Sequence, residues 1–208
     1  MNHLRLINHT ITLPRGVTVV AMFLTLVFTT AIVTTAQGAD WDIPELMSLL
    51  AQNKGGQVTY TEKKYISILD MPLVSTGELI FKPPSHLEKR TLTPKQEGFI
   101  LDGNTMTIEH DQQKRIMQLQ DFPRVGAIIE SIRSTLAGDQ TALERSYRLV
   151  LKGTQQKWTL TLQPVNQQLS DFINNIQIVG EHGQIRSIEI NQIDGDYSVM
   201  TINKSTTP

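Results

Sequence analysis

Over most of the chain from Gln57 to Asn203 apolar and polar residues alternate in segment after segment, and this period of two constrains the fold more than any other feature. A strand points successive side chains to opposite faces, so such segments build a half-buried sheet. They fall at about 57 to 69, 75 to 82, 86 to 92, 98 to 102, 104 to 110 and 114 to 120, and again at 147 to 152, 157 to 163, 176 to 180, 184 to 193 and 196 to 203. Turn formers separate them, among them Pro83-Pro84, Thr93-Pro94, Asp102-Gly103, Glu181-His182-Gly183 and Asp194-Gly195. The spacing predicts a mainly β domain, a meander of about eleven antiparallel strands in a sheet that has to curl.

Two helical stripes accompany the strands. Ile43 to Gln52 places Ile43, Leu46, Met47 and Leu50 on one face behind a capping Asp42, and Asn53 to Gly56 stops it. Arg124 to Ala137 interrupts the meander with Val125, Ile128, Ile129, Ile132 and Leu136 three and four apart. A weaker helical turn is expected at 169 to 175.

Alternation also assigns faces. Leu79 falls with Phe81, Met106 with Ile108, Met117 with Leu119, Leu149 with Leu151, Trp158 with Leu160 and Leu162, and Ile188 with Ile190. One surface of the sheet is therefore apolar along nearly its whole width, and it must be covered or closed over. Two helices of about 15 to 21 Å cannot cover it all. The remainder is either interlocked core or a cavity, and Leu87, Phe99, Trp158 and the isoleucines of the central helix are divided between lining and packing.

The first residues carry Arg5 and Arg15 without an acid, then the apolar run Val17 to Val33, then small residues in TTAQGAD. This is the layout of a secretory signal peptide. Cleavage is expected after Ala36 or Gly38, giving a signal peptide over 1–38 and a carrier domain over 39–208; the alternative is a permanent anchor helix, which the interior Thr18, Thr25, Thr29 and Thr30 disfavour. Removing Arg5 and Arg15 leaves 17 Lys+Arg against 20 Asp+Glu, a net charge near −3 and a poor match for nucleic acid. Cysteine is absent, so disulfides, thiolate metal sites and a lipid-modified cysteine are excluded.

His86, His110 and His182 are the candidates for chemistry, with Glu109-His110-Asp111 as the densest cluster. No metal-binding His pair, nucleophile elbow or phosphate loop accompanies them, and alternation separates Glu109 and Asp111 from His110. Solvated strand-edge polarity is expected for all three, with no catalytic residue, metal or cofactor, and the chain is not expected to be an enzyme.

The order Ser75-Thr76-Gly77, the strand Glu78 to Phe81, Lys82-Pro83-Pro84, the strand beginning His86-Leu87, Thr93-Pro94, and Phe99-Ile100-Leu101-Asp102-Gly103-Asn104 resembles the periplasmic lipoprotein carrier family, the LolA-like proteins. The likeness extends in order through helix, meander, central helix, hairpin, short helix and final strands. It implies an unclosed, eleven-stranded antiparallel β-barrel with an α-helical lid, the LolA/LolB-like fold. It also implies a periplasmic monomer that shelters acyl chains of a lipoprotein or another lipid amphiphile, polyene-type amphiphiles included, and carries them towards the outer membrane between membrane-associated donor and acceptor proteins. A regulatory module that senses lipids or lipoproteins is the alternative. The family's lid-fastening arginine falls on Pro83, and its aromatics after the Asp-Gly turn on Met106, Ile108 and Glu109. The lining expected from alternation and resemblance is Leu79, Phe81, Leu87, Phe99, Met106, Ile108, Met117, Ile128, Ile132, Leu149, Trp158, Leu160 and Leu162.

Overall fold

Asp42 opens the first helix, α1 (Ile43–Ala51), by accepting from the Glu45 amide at 2.9 Å, while Pro44 occupies a first-turn position where no amide partner is lost. Leu46, Met47 and Leu50 form its buried stripe. The structure is a computed structural model and describes residues 41–111 and 113–203. The apolar run Val17 to Val33 and both cleavage positions lie outside the described residues.

Eleven strands follow, as the alternation predicts. The first six are β1 (Gly56–Tyr65), β2 (Leu73–Lys82), β3 (His86–Thr93), β4 (Glu97–Asp102), β5 (Thr105–His110) and β6 (Gln113–Gln118). A 3-10 turn (Leu119–Asp121) leads into α2 (Pro123–Ala137) and the short α3 (Gln140–Glu144). Then come β7 (Tyr147–Thr154), β8 (Lys157–Pro164), α4 (Gln167–Ser170), β9 (Ile173–Glu181), β10 (Gln184–Gln192) and β11 (Tyr197–Ile202). All eleven form one antiparallel sheet in the order β6-β5-β4-β3-β2-β1-β11-β10-β9-β8-β7. The first and last strands of the chain pair in the middle, and the edges β6 and β7 do not pair, so the barrel stays unclosed.

Four local differences from the sequence expectation have simple causes. β1 stops at Tyr65, because residues 66 to 72 form a loop whose Ile68 and Met71 face solvent. The segment predicted as strand to residue 120 ends at Gln118 and turns, burying Leu119. The helical turn expected at 169 to 175 is confined to α4, with Ile173 already in β9. α3 is not signalled by periodicity, because five residues, capped by Asp139 on the Ala142 amide at 2.9 Å, are too few to show one.

The inner face carries two clusters. The larger joins α1, α3 and β7 to β10 around Trp158, Leu160, Leu162, Ile176 and Ile178. The smaller holds Phe81, Leu87, Leu101, Met106 and Leu119 from β2 to β5 and the turn after β6. α2 spans both, with Ile132 and Leu136 packed against each. The dry positions of α2 are Gly126, Ser131, Ser134 and Thr135, whereas Ile128, Ile129 and Ile132 are half-buried.

Candidate functional site

Strand register resolves the inner face of β2 to β6 into three successive rungs. Phe81, Leu87, Leu101, Met106 and Met117 are cross-strand partners and form an apolar rung. Two residues along each strand, Leu79, Lys89, Phe99, Ile108 and Arg115 form a mixed rung. Two further on lies a polar rung of Gly77, Thr91, Glu97, His110 and Gln113. Paired residues share a face, so polarity rises in steps from oil to charge towards the end of the sheet that carries the loop 66 to 72.

A cavity of about 540 Å³ opens over the second and third rungs, lined by Phe99, Ile108 and Met117 on its apolar side and by Lys89, Thr91, Glu97, His110, Gln113 and Arg115 on its polar side. That volume falls within the roughly 300 to 1,000 Å³ of small-molecule sites. On the far side of β1 the inner face is packed. Leu151, Leu160, Ile178 and Ile188 continue one rung, and Leu149, Leu162, Ile176 and Ile190 the next.

The expected lining residues therefore divide. Phe99, Ile108 and Met117 border the cavity. Phe81, Leu87 and Met106 belong to the small cluster in the adjoining rung, and Leu79 is half-buried beside Lys89. Trp158, Leu160 and Leu162 are at most 1% exposed inside the larger cluster, with Leu149 packed on it. Ile128 packs against that cluster and Ile132 against both. The polar wall has no apolar periodicity to mark it, and its signal in the sequence is the fading series Leu87-Lys89-Thr91 and Met117-Arg115-Gln113.

A polar belt separates the two halves. Lys89 donates to Glu62 at 2.5 Å and sits 5.1 Å from the centre of the Tyr60 ring, while the Tyr60 hydroxyl and Thr91 Oγ1 share a hydrogen bond of 2.8 Å. These contacts reach from β1 to β3 across β2. Gly77 lies between Tyr60 and Thr91 in the register, and a Cβ on it would overlap the Arg90 carbonyl.

At the polar rim Lys95 Nζ lies 3.1 Å from His110 Nε2 and donates to Asp111 Oδ2 at 2.8 Å, and His110 Nδ1 is 3.1 Å from Glu97. The Lys95 hydrogen bond holds the Asp111 carboxyl below the usual carboxylate range, against a smaller opposing effect of burial. His110 shares the inner rung with Glu97, and Asp111 lies in the turn beyond it. Among the described residues no group of three or more His, Asp or Glu is arranged to hold a metal ion.

α2 crosses the gap between the sheet edges and is tied on both flanks. Arg133 Nη1 donates to the Gly103 carbonyl in the β4–β5 turn at 2.6 Å, and its other arm pairs with Glu130. On the opposite flank the Tyr147 hydroxyl of β7 donates to the Ala127 carbonyl at 3.2 Å. Burial pushes the Tyr147 phenol up to about 12, with Ser131 opposing weakly.

The sequence from residue 35 to 206 matches the family described as outer membrane lipoprotein carrier protein LolA-like. The chain belongs to that family. No curated protein sequence matches this LolA-like chain. Among solved structures, a LolA superfamily protein from Nitrosomonas europaea is similar at 8% identity and a TM-score of 0.42, covering 78% of this chain and 90% of that one. The MucA/MucB complex of Pseudomonas aeruginosa matches at 15% identity and 0.45, covering 80% and 58%. The Mycobacterium tuberculosis lipoprotein LppX matches at 11% and 0.39, covering 79% and 97%.

Proposed function

We propose that this LolA-like protein is an exported carrier that shelters the acyl chain of a lipoprotein or another lipid amphiphile and passes it on towards the outer membrane. In this reading residues 1–38 direct export and are removed, and residues 39–208 are the carrier domain, working between a membrane-associated donor and acceptor. The observation that carries it is the graded inner face of β3 to β6. An apolar rung, a mixed rung and a polar rung follow one another, and a cavity of about 540 Å³ opens over the mixed and polar ones with Met117 of the apolar rung at its border. A cavity with that gradient suits a molecule with an oily tail and a wet head.

The energetics fit a carrier that also releases. Each buried methylene contributes about 0.8 kcal/mol, so sheltering roughly ten gives about 8 kcal/mol, which corresponds to micromolar binding. Phe99, Ile108 and Met117 are the residues assigned to contact the tail, with Ile128 and Ile132 as the underside of the lid. Trp158, Leu160, Leu162 and Leu149 are assigned to the fixed core.

Titration with a fluorescent fatty acid tests this. Saturable one-to-one binding is expected, and it should be lost in Ile108→Trp, which fills the cavity at a position already 36% exposed and so spares the core. Absence of saturable binding by a chain whose circular dichroism shows an intact sheet would contradict the proposal.

A further inference from the structure

The charged groups around the cavity are almost all matched. Lys89 is held by Glu62 at 2.5 Å, Glu109 by Lys114 at 2.6 Å, and Glu97 lies 3.1 Å from the His110 ring. Arg115 is different. It lines the same cavity and is the one charged lining side chain that enters no ion pair among the described residues.

Its place in the register gives this cation a geometric meaning. Arg115 is the direct cross-strand partner of Ile108, which is in turn the partner of Phe99, and Met117 lies two residues away on the same face of β6. A tail lying on Phe99, Ile108 and Met117 therefore ends within reach of a guanidinium whose planar fork suits carboxylate and phosphate oxygens. A neutral polar head would leave that cation unmatched.

We propose that the cavity selects amphiphiles with an anionic head group, carboxylate or phosphate, whose charge is met by Arg115 while the tail lies on Phe99, Ile108 and Met117. This rests on the carrier reading and narrows it to a class of cargo. Because β6 is a sheet edge and Arg115 is exposed, solvent screening keeps the preference modest, about fivefold.

The test measures binding of dodecanoic acid, dodecyl phosphate and methyl dodecanoate to the purified chain and to Arg115→Gln, below the aggregation threshold of each lipid and at neutral pH. At least one anion should bind about fivefold more tightly than the ester. That difference should vanish in Arg115→Gln, where anions and ester bind alike, and the stronger of the two anions to the parent chain identifies the head. Equal affinity for ester and both anions overturns the inference and leaves the carrier reading in place. An anion preference that survives Arg115→Gln overturns the assignment to Arg115. Failure of all three lipids to bind removes the carrier reading and this inference with it.

Discussion

Arg133 reaches from the C-terminal half of α2 to the backbone carbonyl of Gly103, 2.6 Å away in the β4–β5 turn, and so ties the helical lid to the half of the sheet that carries the cavity. Its side chain is only 15% exposed. A hydrogen bond from a charged donor contributes about 1.5 to 3 kcal/mol. Arg133→Met should therefore speed amide exchange in α2 and in the 102 to 105 turn, with β8 and β9 unchanged. Unaltered exchange in α2 would show that the lid is held by other contacts.

Tyr147 makes the opposite tie and confers a pH dependence. Its phenol ionises near 12 in the folded chain, against about 10 unfolded. Stability from this group is therefore complete below pH 10, falls as pH rises from 10 to 12, and levels off above. Tyr147→Phe should flatten that part of the stability curve in denaturant titrations taken across the window. A decline of the same slope in the variant would assign it to other groups.

Gly180 and Trp158 test the assignment of the larger cluster to fixed core. They are cross-strand partners, a Cβ at position 180 would overlap the indole ring, and the indole donates to the His182 carbonyl at 2.8 Å. Gly180→Ala should cost about 1 to 3 kcal/mol through overpacking, lowering Tm by roughly 2 to 4 °C for each kcal/mol. An unchanged Tm would mean that this region yields readily and is not rigid core.

The belt between the halves offers a fourth variant. Glu62, with a side chain 13% exposed, is the partner of Lys89. Glu62→Gln leaves a part-buried ammonium without its anion and should lower stability by about 1 to 3 kcal/mol. The double variant with Lys89→Met should recover part of that loss. A single variant as stable as the parent would show that the pair is solvated and idle.

The sheet was legible because alternation is a local property. Each strand from β1 to β11 announced itself through period two, and the turn residues between them set the meander. The fate of the inner face was not legible, since Trp158, Leu160 and Leu162 follow the same pattern as Met106 and Ile108. Whether an inward side chain meets an opposite wall depends on curvature and on where α1 and α2 come to rest. Those helices close over β7 to β10 and leave part of β3 to β6 uncovered. The polar wall was readable in principle from Lys89, Thr91, Arg115 and Gln113 at inward positions. Charges at such positions ordinarily signal a solvated face, and only the register across four strands shows that they border one cavity.

Intermolecular nuclear Overhauser effects between dodecanoic acid and the methyl groups of the chain test the central claim most directly. Contacts from the lipid tail to Ile108 and Met117, with none to Leu160 or Ile176, are the predicted result. Contacts concentrated on Leu160 and Ile176, or bound lipid that touches neither Ile108 nor Met117, would contradict it.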